Sequence, residues 1–308
     1  MTPARFVVFG EALTDFIREG PNRWTSAAGG APWNVARAAA RLGLATAYAG
    51  GISGDPFGDE LWRLAEEAGV DLRLAQRVSR PTLLAMVISK APPVYFFVGD
   101  DSADQAFDPA RLPARWLDEA EVVFFGGISL LRQPYGARLL ELVERVRAAG
   151  KRICVDPNYR SLLSRGFRET ALRVARVADY VKVSDEDLTG MFPGQPPEEG
   201  LHALRLEAPR AHILFTRGAH GMRLLSPAGE VAEQPAYPVQ VVDTVGAGDA
   251  CVGAWMASLL AHPDAPLRAH ASFAAAAAAV SCSHAGAHAP SQEEVRVVQA
   301  REAAGPSP

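Results

Sequence analysis

Cysteine is scarce in this chain of 308 residues: Cys154, Cys251 and Cys282 are the only three, and no two form a Cys-x-x-Cys pair. That argues against a disulfide-stapled scaffold, and an odd number suits a reducing cytoplasm. Long apolar runs are missing too. The longest, Phe273 to Val280, is nearly all alanine and far too short to cross a bilayer. It reads as a tightly packed helix. The opening stretch reaches charged residues too soon for a signal peptide, so a soluble, cytoplasmic protein with no membrane partner is expected. Nor is there an excess of positive charge. Lys and Arg number 31 against 35 Asp and Glu, a net charge of −4. This argues against nucleic acid as a partner, which calls for a clustered basic face. No Walker lysine loop occurs, and no Gly-x-Gly-x-x-Gly opens a helix after a strand. The seven histidines are read as lying outside any metal-ligand spacing with cysteine or carboxylate, which predicts no zinc site.

What is present is a rhythm. Short apolar runs at Arg5–Phe9, Thr46–Ala49, Val122–Phe125, Arg152–Val155, Tyr180–Val183 and His212–Phe215 read as buried strands. Helical periodicity lies between them, at Trp33–Leu42, Phe57–Ala68, Tyr135–Ala149 and Phe167–Ala178. Gly43, Gly69 and Gly150 stand where helices want a left-handed residue to end on. Alternation of this kind predicts an α/β fold with a mostly parallel sheet covered on both faces. Residues 14–28 and 82–98 alternate apolar and polar instead, which predicts strands outside the main sheet, forming a flap. After Ala250 the chain reads as helical, and the tail from Ala303 as frayed. No linker marks a boundary, so residues 1–308 are expected to form one domain with two lid segments.

Chemistry concentrates in Val241-Val242-Asp243-Thr244-Val245-Gly246-Ala247-Gly248-Asp249-Ala250. An apolar strand end runs into a Gly-Ala-Gly turn, and a long helix follows. Free amides opening a helix, together with its dipole, form a natural anion site. A carboxylate there is awkward for simple anion binding, because it repels the ligand. It makes sense if Asp249 takes a proton from a hydroxyl while the amides hold the phosphoryl group under attack. Local physics leaves a second reading equally open, with Asp249 merely stabilising its own helix.

The string DTVGAGDA resembles the C-terminal signature of the ribokinase-like (PfkB) carbohydrate kinases. Gly29-Gly30-Ala31-Pro32-Trp33-Asn34, continuing to Arg41-Leu42-Gly43, resembles that family's Gly-Gly-x-x-x-Asn sugar segment. The resemblance runs from Gly10 to Pro290. It implies a three-layer α/β/α sandwich with a small β lid, and ATP-dependent transfer of the γ-phosphoryl group to a sugar hydroxyl. Asp249 would be the base, with Gly246, Ala247 and Gly248 forming the amide turn. Asp15, which the family places on its first strand, would hold sugar with Gly29, Gly30 and Asn34; Phe97 and Arg160 join them as substrate residues. Read without the resemblance, Asp15 is a solvated loop residue and Asn34 a helix cap.

Thr216, Gly218 and Gly221 resemble the family's Thr-x-Gly-x-x-Gly nucleotide loop, although a glycine-bearing hairpin looks the same. Lys182 to Asp187 aligns with its Asn-x-x-Glu motif, with Ser184 for Asn and Asp187 for Glu. That implies nucleotide contacts from Lys182, Ser184 and Gly248, and magnesium held through water by Asp187. The same residues also read as a capping box. Asp243 and Val245 match the family's monovalent-cation position, implying potassium.

The fructokinase branch is the nearest match, through Gly30-Ala31-Pro32-x-Asn34, Phe125 to Leu130, Asp156-Pro157-Asn158-Tyr159-Arg160 and Lys182-Val183-Ser184. 2-Keto-3-deoxygluconate kinase is the rival, with ribokinase a further alternative, but the family's Tyr-Arg pair is replaced here by Val98-Gly99, which disfavours an acidic sugar and also departs from the fructokinase pattern. A nucleoside kinase would need aromatic surface, for which Phe16, Trp24, Phe96 and Phe97 are available. From another class, a non-catalytic sugar sensor is the alternative. The exposed edges of the lid strands imply a homodimer.

Overall fold

The computed structural model describes residues 3–90, 93–160 and 166–303. Strand β1 (Phe6–Phe9) leads to β2 (Leu13–Gly20), β3 (Arg23–Gly29), helix α1 (Ala31–Arg41), β4 (Thr46–Ala49), β5 (Gly51–Ser53), α2 (Pro56–Glu67), β6 (Gln76–Val78), β7 (Leu83–Lys90) and β8 (Pro93–Val98). Then come β9 (Val122–Gly126), α3 (Tyr135–Ala148), β10 (Arg152–Asp156), α4 (Phe167–Ala175), β11 (Tyr180–Ser184), α5 (Asp185–Met191) and α6 (Pro197–Glu207). The chain continues through β12 (His212–Thr216), β13 (Met222–Leu225), β14 (Val231–Gln234), α7 (Ala247–Ala261), α8 (Leu267–Cys282) and α9 (Gln292–Ala303). The end of the tail expected to fray, 304–308, and residues 91–92 of the second lid segment lie outside the described residues.

The large sheet has the order β14-β13-β12-β11-β10-β9-β1-β4. Neighbours from β4 through β12 pair parallel, and β13 and β14 close one edge antiparallel. Alternate residues of β1 explain why its sequence is apolar throughout. Phe6 and Val8 enter the core beneath α1, α2, α7 and α8, while Val7 and Phe9 enter the opposite core beneath α3, α4 and α6. A strand covered on both faces has no position at which a polar side chain meets water. The expected three-layer α/β/α arrangement is found. Among the described residues no helix is long and apolar enough to cross a membrane.

The two alternating segments form the separate sheet β3-β2-β7-β8. Its pairing register puts Asp15, Ala27, Ala85 and Phe97 on one face. Phe16, Trp24 and Phe96 fall on the other, where Phe16 meets Phe57 of α2 edge-on. Leu13, Leu83, Ala85 and Ile128 form a small core under the first face, with Phe97 packed against it.

Two expectations change in detail. Asp15 is on β2, in the small sheet, rather than on the first strand of the fold. Helix α1 begins at Ala31, two residues earlier than expected, and its cap is Gly30 (φ 108°). Asn34 is therefore inside the first turn and is not a cap. An added Cβ at Gly30 would lie 2.6 Å from the Glu11 carbonyl oxygen, so the turn into α1 admits only glycine without strain.

Candidate active site

Parallel strands release their side chains at their carboxyl ends, where open α/β sheets form clefts. Here the register aligns Gly126 with Asp156 and Ser184 with Thr216 at those ends. Helix α7 starts beside them. Its cap, Gly246, is left-handed (φ 78°), and an added Cβ there would come within 2.6 Å of Ala287. No side chain caps α7, so its first amides lack that partner, as an anion site requires.

Asp249, in the first turn of α7, is buried at 8% exposure. Its Oδ2 accepts a hydrogen bond from Asn34 Nδ2 at 2.9 Å. Burial pushes its carboxyl above the ordinary carboxylate range, against the opposing pull of the Asn34 bond, Lys182 and Arg160. An aspartate serving only its own helix would turn back to the amides; this one turns across to α1. Asn34 Oδ1 is itself buried without a protein partner.

Lys182, on β11, is buried with Nζ 3.0 Å from Asp156 Oδ2 and 3.7 Å from Asp187 Oδ2. Burial lowers its proton affinity, but Asp156 and Asp187 more than reverse that, so the ammonium form is favoured. A side-chain carbon at Gly248 would sit 3.3 Å from Nζ, so the cation lies directly against the amide turn. A buried lysine beside helix-mouth amides can hold an anion, and a buried carboxylate with a raised pKa can accept a proton.

Asp15 and Arg160 complete this end. Burial raises the Asp15 carboxyl to about 6, lowered in part by Arg160 and raised further by Asp249, which puts the three groups in one electrostatic neighbourhood. A Cβ at Gly29 would fall 2.6 Å from Asp15 Oδ2. Arg160 is presented by a turn in which Asn158 holds a positive φ of 50° and donates its amide to Asp156 Oδ1. Phe97 lies on the Asp15 face of the small sheet.

The remaining predicted residues sit further along the strand ends. Ser184 and Asp187 form the capping box of α5, and Asp187 Oδ1 also accepts the Tyr159 amide at 2.6 Å. Both Asp187 oxygens are thus engaged, and the capping reading holds in its own right. Thr216, Gly218 and Gly221 occupy the hairpin between β12 and β13, with Gly218 exposed and Gly221 buried. Asp243 accepts amides from Val245 at 3.2 Å and Gly286 at 3.3 Å, which joins the loop before α7 to the loop after α8.

Several groups escaped the sequence reading. Glu11, buried, accepts the Ile128 and Ser129 amides and the Ser129 hydroxyl, and burial raises its carboxyl to about 7. Arg132 reaches the Asp104 carboxylate at 2.7 Å and the Gly99 carbonyl, putting a guanidinium in space where Val98-Gly99 offers none in sequence. The sequence reading also passed over one histidine cluster. His284 and His288, four positions apart, stack at 3.9 Å and converge with Glu294. The signal was that spacing, with a carboxylate six residues on.

A mouth of this kind, proton acceptor on one side and anion holder on the other, suits phosphoryl transfer to an alcohol. The profile described as "pfkB family carbohydrate kinase" matches residues 3–294, and the chain belongs to that family of sugar phosphotransferases. It is 32% identical to Fructokinase-1 of Oryza sativa subsp. japonica over 97% of this chain and 98% of the relative. The structure of a fructokinase with bound ATP from Xylella fastidiosa superposes with a TM-score of 0.86 at 28% identity, covering 97% and 98% of the two chains. An aminoimidazole riboside kinase from Salmonella enterica, solved with its riboside and an ATP analogue, gives 0.83 at 27% identity over 96% and 99%.

Proposed function

We propose that this chain is a fructokinase, transferring the γ-phosphoryl group of ATP to a hydroxyl of fructose, as one catalytic unit whose small sheet acts as a lid. The observation that carries the reading is the buried Asp249, fixed by Asn34 and set beside Lys182 and the amide turn. Fructose would lie between Asp249 and the Asp15 face of the lid. Asp15, Asn34 Oδ1, Arg160 and the backbone around Gly29 and Gly30 would meet its hydroxyls, and Phe97 would line the apolar side. Paired acceptors and donors of this kind match vicinal hydroxyls.

ATP would run along the strand ends, with Lys182, Gly248 and the amides of Ala247 and Asp249 on the phosphates. Ser184, Thr216, Gly218 and Gly221 would take the rest of the nucleotide. When bound, magnesium supplies positive charge between the phosphates. Asp187 Oδ1, which accepts the Tyr159 amide, retains a lone pair for one of its waters. Asp243, with the Val245 carbonyl, would serve potassium. Asp249 takes the hydroxyl proton as the phosphoryl group arrives, and lid closure keeps water from competing.

Strand alternation favours fructose over a nucleoside. Of the four aromatic side chains available for a base, only Phe97 shares the Asp15 face. We place the enzyme in the cytoplasm as a homodimer, with Val94, Phe96 and Val98 of the edge strand β8, each 47–49% exposed on the outer lid face, as the self-association surface. A coupled kinase assay across fructose, ribose, 2-keto-3-deoxygluconate, adenosine and inosine tests the reading. Fructose should give the highest kcat/KM, and preference for any other acceptor would overturn it. Sugar binding without any turnover would instead support the non-catalytic sensor.

A further inference from the structure

We propose that His284, His288 and Glu294 form a binding site for a divalent first-row transition ion, zinc in the first instance, on the loop that backs the cap of α7. One ligand atom from each residue falls within 4.8 Å of the others. His288 Nε2 is 3.1 Å and His284 Nε2 is 3.9 Å from the same oxygen, Glu294 Oε1. Zinc holds imidazole nitrogen and carboxylate oxygen at about 2.0–2.2 Å in a tetrahedron, which puts donors roughly 3.3 Å apart. The 3.1 Å pair already matches that spacing, and His284 would have to draw in from 3.9 Å.

Outer partners orient two of the three donors. Glu294 Oε2 is committed to the Ser291 amide at 2.7 Å and the Ser291 hydroxyl at 2.6 Å, so Oε1 is the oxygen left facing the histidines. His284 Nδ1 lies 2.9 Å from the Val280 carbonyl oxygen, which can only accept, so Nδ1 carries the ring proton. Nε2 is then the nitrogen that His284 presents to Glu294 Oε1, 3.9 Å away and beyond hydrogen-bond reach, a gap that a shared cation would close. The carbonyl behind Nδ1 is the kind of outer partner that fixes the tautomer of a metal-binding histidine.

His288 Nε2 now donates to Glu294, and its proton would move to Nδ1 or to solvent as the ion enters. The stacked rings, 13° from parallel, would tilt until their lone pairs meet. Side-chain exposures of 45% for His284 and 25% for His288 leave a route in, and a water would complete the tetrahedron. Two imidazoles and one carboxylate favour zinc and its neighbours over magnesium or calcium.

The site would fasten a loop with consequences. Gly286 donates to Asp243, Arg37 donates to the Ala287 carbonyl at 3.5 Å, and Ala287 abuts Gly246. An ion here ties the end of α8 to the start of α9 behind the helix that carries Asp249. The proposal does not depend on which sugar is phosphorylated, because its readout is metal content.

The test uses the full chain, free of any affinity tag and stripped with a chelator. Equilibrium dialysis against zinc should return one ion per chain, and cobalt should give the visible absorption of a tetrahedral site. His284→Ala and His288→Ala should each weaken zinc binding by at least tenfold and abolish the cobalt band, while thermal unfolding without metal stays cooperative. Wild-type thermal stability should rise with zinc, and that of the variants should not. Unchanged zinc affinity in the two histidine variants would overturn the site. So would loss of the bound ion in Asp249→Asn, which would place it among the catalytic carboxylates.

Discussion

Asn34 donates to Asp249 across a separation of 215 residues, joining the first turn of α1 to the first turn of α7 at 2.9 Å. Both helices enter the same cleft by their amino ends. The bond does two things: it fixes the rotamer of the carboxylate, and it opposes the rise in proton affinity that burial imposes.

Asn34→Ala should therefore lower kcat and raise KM together. Leaving a buried carboxylate oxygen without its donor costs about 1–3 kcal/mol. The acidic limb of the rate profile should also move to higher pH, because a group that lowers the Asp249 pKa has gone. An unmoved pH profile would mean that the bond does not act on the base.

Lys182→Met should hit stability and activity at once. It leaves Asp156 and Asp187 buried without their shared cation, and breaking a buried ion pair costs about 3–5 kcal/mol. Denaturant titration should show that loss. A pure stability effect would spare the Michaelis constant for ATP in the folded fraction, whereas a phosphate-holding lysine should raise it.

Asp15 makes a prediction in pH. Its carboxyl binds a proton more tightly in the folded chain, at about 6, than the ordinary value of 3.8. Protonation therefore favours the folded state, and that contribution to stability is full below about 4 and is lost as pH rises to about 6. Hydroxyl binding has the opposite sign, because the ionised form is the better acceptor. kcat/KM for sugar should climb through the same window, and Asp15→Asn should flatten the Asp15 part of both curves. Persistence of the full stability slope in that variant would assign it to another group.

Phe96→Glu tests the outer lid face. A charge in the middle of the exposed Val94, Phe96, Val98 row should shift sedimentation from dimer to monomer and leave monomer folding intact. A wild-type chain that sediments as a monomer would refute the dimer directly.

The fold was legible because strands buried on both faces leave mostly apolar runs, as in β1, β4, β9, β10, β11 and β12, with Lys182 the interruption inside β11. The candidate base was legible through the resemblance of DTVGAGDA to a known signature, since local physics alone left a helix-stabilising aspartate equally open. The hidden groups share a different property: their meaning lies in partners that sequence does not bring together. Glu11 looks like any acidic residue until Ile128 and Ser129 close over it. Arg132 is unremarked in its loop until Asp104 and Gly99 meet it. Phe16 and Phe97 are equal candidates for a ligand wall in one dimension, and only strand register separates their faces. The histidine pair was passed over because its proposed third ligand, Glu294, lies on the next helix, where its other oxygen holds Ser291.

The decisive measurement is steady-state turnover of Asp249→Asn with fructose and ATP, alongside calorimetric binding of the sugar. Removing a positioned base should cut kcat by roughly 10² to 10⁴, and fructose should still bind, since Asp15, Arg160 and Asn34 remain. An Asp249→Asn enzyme that turns over at close to the wild-type rate would contradict the account, because the proton would then have left by another route.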